Sequence, residues 1–246
     1  MRLDISWKLE RDEPYLGVWS SNADSMRTDQ DINNGDQTVF TDWATIQRAI
    51  ENYRDFISRI VNASEAPFTT IYPDMDNMFI GNEEAVTGVS DMMRETIATH
   101  WIGAAANLIT GSDMTKIDLL GTRLLTQKDA LDAARFSAQF PMQPRNPTTG
   151  RNLSKQLQAW IAGPDELGNS LVVLANYGPD RGQGGFNTAL EGKQLVHVTW
   201  YDLGIQGAFK IRNVWTGLIF GVSDSEVGAT LDAGESLLLR LEPMHT

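Results

Sequence analysis

The chain has 246 residues, 41% of them hydrophobic, and its 32 acidic side chains outnumber 20 basic ones to leave a net charge of −12. That is enough apolar material for one large or two ordinary domains, while the negative surplus repels phosphate backbones and anionic lipids and argues against nucleic-acid and membrane partners. Cysteine is absent, which excludes disulfides, thiolate catalysis and thiolate-bound metals together, and no apolar run approaches the roughly 20 residues of a membrane helix.

Residues 3–9, Leu-Asp-Ile-Ser-Trp-Lys-Leu, alternate apolar and polar side chains and read as a strand, with no signal-peptide pattern ahead of it. Asp12-Glu13-Pro14 and Ser20-Ser21-Asn22 read as loop, and Ser25 to Ile32 as a second strand with a polar exit. From Thr41, an N-cap candidate, Trp43, Ile46, Ile50, Tyr53, Phe56 and Ile57 recur at helical spacing. Pro67 ends that connection, and Phe68 to Tyr72 form a β-branched and aromatic strand. A helix is expected from about Ser90 to Ala105, a short strand at Asn107 to Thr110, and a further helix from Thr126 to Phe136. This order predicts parallel βα units, too few to close a barrel. Residues 141–152, rich in Pro, Asn, Thr and Gly, read as a boundary. Beyond it the helical period vanishes. Residues 157–162, 171–176, 195–201, 209–215, 218–222 and 236–241 are short apolar or alternating runs between Gly, Asp and Asn turns, as an antiparallel sandwich requires.

Two stretches concentrate carboxylates beside short apolar runs at expected strand ends, where α/β barrels carry their chemistry. They are Asp24-Ser25-Met26-Arg27-Thr28-Asp29-Gln30-Asp31-Ile32 and Tyr72-Pro73-Asp74-Met75-Asp76-Asn77-Met78-Phe79-Ile80-Gly81-Asn82. By themselves they are equally compatible with solvated acidic loops, with Arg27 and Asp31 as a surface ion pair and Asp76 as a turn cap. His100, His197 and His245 have no metal-ligand or triad spacing. The glycines from Gly178 to Gly185 lack the following helix of a phosphate loop and read as a flexible turn.

The first stretch resembles the S-x-R-x-x-x-D-I motif of the α-galactosidase family, the clan D retaining glycoside hydrolases, and the second resembles that family's D-P-D-M-L-x-x-G-N motif. The resemblance implies that Asp31 is the general acid/base, that Arg27 is the substrate arginine, and that Asp74 and Asp76 bind substrate. Ser6-Trp7 takes the place of the family's E-W pair, which reads sugar hydroxyls, so Ser6 and Trp7 join the candidate site. Gln158-Ala159-Trp160 resembles the Q-x-W segment that opens the family's C-terminal β domain. The fold implied is part of a (β/α)8 barrel, roughly strands 5 to 8, over residues 1–140, a linker at 141–152 and an antiparallel β-sandwich at 153–246. The family's nucleophile, in a Y-D-x-C motif, matches nothing in this chain, so the resemblance implies an impaired, truncated form. It also implies a carbohydrate substrate, no metal or organic cofactor, and an extracellular location. A non-catalytic carbohydrate-binding protein, or a clan D glycosidase with another sugar specificity, is the alternative, because Ser6 and Asn77 depart from the family pattern.

Overall fold

The computed structural model describes residues 2–6, 10–33, 38–63, 71–145 and 153–244. Its N-terminal part is built on a parallel sheet of three short strands in the order β1 (Asp4–Ile5), β2 (Ser25–Arg27) and β3 (Tyr72–Asp74). The segment 107–111 extends the row: the Asn107 N–H donates to the Pro73 carbonyl, and Met78 pairs in parallel with Thr110. Among the described residues this sheet does not close. Helix α1 (Tyr15–Asn22) joins β1 to β2, and α2 (Trp43–Ala63) joins β2 to β3. The α2 stripe of Ile46, Ile50, Tyr53, Ile57 and Ile60 is buried, as its spacing demands. Its cap is Asp42, whose carboxylate accepts the Thr45 N–H at 2.8 Å, because the Thr41 hydroxyl is engaged with the Ile32 carbonyl at 2.7 Å.

Helices α3 (Glu84–Thr87), α4 (Asp91–Gly103), α5 (Leu119–Thr126) and α6 (Lys128–Ser137) follow. Three expectations change here. Residues 20–22 form the end of helix α1 rather than a loop. Asn107 to Thr110 contribute a single bridge instead of a strand, and Thr126 ends α5 rather than capping α6. α5 starts tightly against the preceding turn: a Cβ on Gly121 would lie 2.2 Å from the Gly81 carbonyl oxygen.

The C-terminal part holds β4 (Gln143–Arg145), α7 (Leu153–Gln156), β5 (Leu157–Ala162), β6 (Ser170–Asn176), β7 (Gln194–Thr199), α8 (Trp200–Leu203), β8 (Phe209–Asn213), β9 (Ile219–Ser223), β10 (Glu226–Leu231) and β11 (Glu235–Pro243). A six-stranded antiparallel sheet, β4-β5-β6-β11-β8-β9, faces the two-stranded ribbon β10-β7. Two readings are corrected. The segment read as a linker includes strand β4, pairing with β5 through Gln143 to Arg145, and β10, with Val227, Ala229 and Leu231 alternating, is a strand that the sequence reading did not include.

Strands β5 and β6 are buried on both faces, and their alternation divides two cores. Leu157, Ala159, Ile161, Val172 and Leu174 meet Val196, Val198 and Val227 inside the sandwich. Trp160, Ala162, Leu171, Val173 and Ala175 belong to the same apolar cluster as Tyr53, Ile97 and Trp101. The helices α2 and α4 therefore cover the outer face of the six-stranded sheet, and one core runs through both parts of the chain.

Candidate active site

The parallel sheet delivers its functional side chains where β2 and β3 end. Arg27 closes β2 and is buried; its Nη2 lies 3.0 Å from the Asp31 carboxylate and 3.0 Å from Asp76 Oδ2, while Nε is 3.8 Å from Asp74 Oδ2. One guanidinium thus meets three carboxylates from two neighbouring strands, in the partly desolvated setting where such pairs are strong. Asp31 is the outermost of the three, its side chain 62% exposed. Asp74 and Asp76 are about 12% exposed.

Asp76 is held from every side. Its backbone adopts φ 70°, its N–H donates to Asp74 Oδ1 at 2.8 Å, and its carbonyl accepts the Trp101 indole N–H at 2.9 Å. The side chain takes the Ile32 N–H at 2.9 Å besides the Arg27 contact. An aspartate tolerates this left-handed conformation better than most residues, and such backbone strain concentrates at functional sites. The turn carrying Asp31 is consequently tied to the turn after β3.

Burial raises the Asp74 carboxyl to about 6; the Asp76 N–H works against this, Asp4 adds to it, and Arg27 opposes it. Asp4, on β1, accepts from the Ser25 hydroxyl, and the Asn107 amide donates to Ser25 Oγ at 3.2 Å, which lines the approach to Asp74 with polar groups. Ser6 is exposed at the end of β1. Trp7 lies outside the described residues, as does His245. Among the described residues no cluster of His, Asp and Glu has metal-site geometry.

Sequence reasoning missed four contributors. Asp29 is buried and pairs with Arg48 Nε at 2.9 Å, Arg48 Nη2 donates to the Asp31 carbonyl at 2.8 Å, and Arg11 Nε donates to the Arg27 carbonyl at 2.9 Å. Asp4 is the fourth. Asp29 lies in the first carboxylate stretch but was given no role there, while Arg48, Arg11 and Asp4 reach the site from other elements with no spacing that marks them. A groove of about 810 Å³ borders the site through Asp4, Ser25 and Asn107, with Arg2, Tyr72 and Leu108 also in its wall, and does not include Arg27, Asp31 or Asp76.

The site thus sits on a short parallel sheet with carboxylates at the carboxyl ends of its strands, joined to an antiparallel sandwich. Residues 154–241 match the family described as the alpha galactosidase C-terminal beta sandwich domain. The chain is 51% identical over all 246 residues to alpha-galactosidase 3 of Hypocrea jecorina, spanning 39% of that protein's length. A GH27 β-L-arabinopyranosidase from Geobacillus stearothermophilus superposes with a TM-score of 0.72 at 18% identity, covering 97% of this chain and 49% of that one. Alpha-galactosidase I from Mortierella vinacea gives 0.66 at 17% identity, covering 95% and 56%. The chain belongs to the α-galactosidase family, and it spans about two-fifths of the length of the curated relative it matches throughout.

Proposed function

We propose that this chain carries the acid/base side of a retaining α-galactosidase-type glycoside hydrolase, acting on terminal α-linked galactose-like sugars. The observation that carries the reading is the Arg27 guanidinium, whose Nη2 stands 3.0 Å from both Asp31 and Asp76. Retaining glycosidases need one carboxyl that gives a proton to the leaving oxygen and later takes one from water, and a second, about 5 to 5.5 Å away, that attacks the anomeric carbon. Asp31, solvent-facing and held by Arg27, is assigned the proton transfer. Arg27, Asp74, Asp76 and Ser6, together with Trp7, are assigned the sugar. The nucleophile is read as lying outside residues 1–246, in line with the missing Y-D-x-C pattern, so the isolated chain is expected to bind better than it turns over.

Residues 1–140 are accordingly read as barrel strands and helices of the (β/α)8 type, 141–152 as the connection, and 153–246 as the sandwich. No metal or organic cofactor enters this chemistry. The substrate is a carbohydrate and the location is read as extracellular; among the described residues no helix is long and apolar enough to cross a membrane. The absence of an attacking carboxylate motif also favours a second reading, a carbohydrate-binding protein without catalysis.

The deciding experiment joins this chain to the upstream residues of its Hypocrea relative and follows 4-nitrophenyl α-galactoside hydrolysis. Asp31→Asn should lower turnover by about a thousandfold or more. Full activity in that variant removes the acid/base assignment, and galactose binding without hydrolysis in the joined protein favours the second reading.

A further inference from the structure

The acid/base turn is also attached to the sandwich, through one side chain on α2. Arg48 spreads its guanidinium over three acceptors: Nε to Asp29 Oδ2 at 2.9 Å, Nη2 to the Asp31 carbonyl at 2.8 Å, and Nη1 to Gln183 Oε1 at 2.8 Å. Two of these belong to the turn after β2. The third belongs to the loop between β6 and β7, some 135 residues away in sequence. The Arg48 side chain is 17% exposed and that of Asp29 6%, so this is not a solvated surface pair of negligible worth.

Gln183 is a fixed post. The Asp180 carboxylate accepts the N–H groups of Gly182, Gly184, Phe186 and Asn187 at 2.8 to 3.1 Å, which folds the loop around one side chain. The residue before Arg48 on α2 clamps the base of the same loop: Gln47 Nε2 donates to the carbonyls of Tyr177 and Pro179, and Gln47 Oε1 accepts the Arg181 N–H. Opposite, the turn is fixed by Arg27 on Asp31 and by Asp76 on the Ile32 N–H.

We propose that Arg48 is a positioning residue: it sets the Asp31 turn against the 178–188 loop, so that the sandwich controls where the acid/base carboxyl stands. This rests on the assignment of Asp31 as acid/base. The planar fork of arginine can serve three acceptors in fixed directions, whereas the single ammonium of lysine cannot hold the same three.

The test is amide hydrogen exchange in the 246-residue chain, read at Ile32 and, as controls, at Ile50 in α2 and Val173 in β6. Arg48→Gln should speed Ile32 exchange about tenfold, Arg48→Lys by less, and Gln183→Ala about threefold, with both controls unmoved. Gln183 is an exposed loop residue, so its variant keeps the fold even if the arginine variants do not. Unchanged Ile32 exchange in Gln183→Ala, or the same acceleration at Ile50 and Val173, overturns the proposal, since either outcome means that Arg48 contributes no more than general stability. The acid/base assignment fails separately, on hydrolysis by Asp31→Asn in the joined protein, and exchange at Ile32 does not depend on it.

Discussion

Asp74 shows how a single side chain can carry a pH signature. Its folded value of about 6 lies above the ordinary carboxylate value of 3.8, and the first cause is burial. The folded state therefore holds the proton more tightly: the stabilisation is fully present below pH 3.8 and is lost as the pH rises through about 6, amounting to on the order of 3 kcal/mol. Asp74→Asn keeps an acceptor for the Asp76 N–H and cannot ionise. Between pH 4.5 and 7 the melting temperature of the parent chain should fall relative to that of the variant, the difference between the two pH profiles being the Asp74 contribution. At Arg27 the prediction concerns binding. Arg27→Lys leaves one ammonium to serve Asp31 and Asp76, and galactose affinity measured by calorimetry should drop about tenfold or more. Both residues stood out in the sequence as a motif, whereas Asp4, which adds to the raised Asp74 value, lies in the first strand and had no mark of its own.

Among the elements, the 178–188 loop departs most from its sequence reading. A glycine-rich turn there promises flexibility, yet Asp180 draws four backbone donors onto one carboxylate. Burial pushes that carboxyl up, and the four N–H groups outweigh it, holding the group below its ordinary value. Asp180→Ala should free the loop, visible as rapid proteolytic cleavage near 182–185, at about 1 to 2 kcal/mol in stability. Helix α2 was legible because its apolar stripe repeats; its Asp42 cap was not, since Thr41 is an equally good cap by type and only the contact with Ile32 removes it. Strand β10 does alternate, with Val227, Ala229 and Leu231 on one face, but the sequence reading passed over it; what holds it is pairing with β7 along Gln194 to Thr199.

For the whole molecule, the decisive feature is the layer between helices and sandwich. Trp160 donates to the Tyr177 hydroxyl at 2.8 Å, that hydroxyl sits 3.2 Å from His100 Nδ1, and the Arg54 guanidinium lies over the Trp160 ring at 5.3 Å. Burial, aided by the charge of Arg54, depresses His100 well below 6.5. Its neutral form belongs to the folded state, so the corresponding stability is present above pH 6.5 and lost as the pH falls below it. His100→Gln should weaken the loss of thermal stability between pH 7.5 and 5.5, measured in the Asp74→Asn background so that the two opposite slopes do not cancel. Because one apolar cluster contains Ile97, Trp101, Trp160 and Leu238, Trp160→Ala should destabilise both parts together by about 3 to 5 kcal/mol. Near-UV and far-UV melting curves should then remain coincident, and two separated transitions would contradict a shared core.

The sequence alone determined the class of the longer elements, such as α2, α4, β5 and β6, and the family resemblance, since periodicity, turn residues and the two carboxylate motifs are local properties. It also located Gln158 and Trp160, though not their duty: Gln158 accepts from Arg54 at 3.2 Å and Trp160 faces the helices rather than the sandwich interior. Tertiary structure decided which carboxyl is raised, which residues brace the Asp31 turn and how the two parts share a core. These depend on groups far apart in the chain, and their energies arise from desolvation and from hydrogen-bond directions that exist only once α2, the parallel sheet and the 178–188 loop have met.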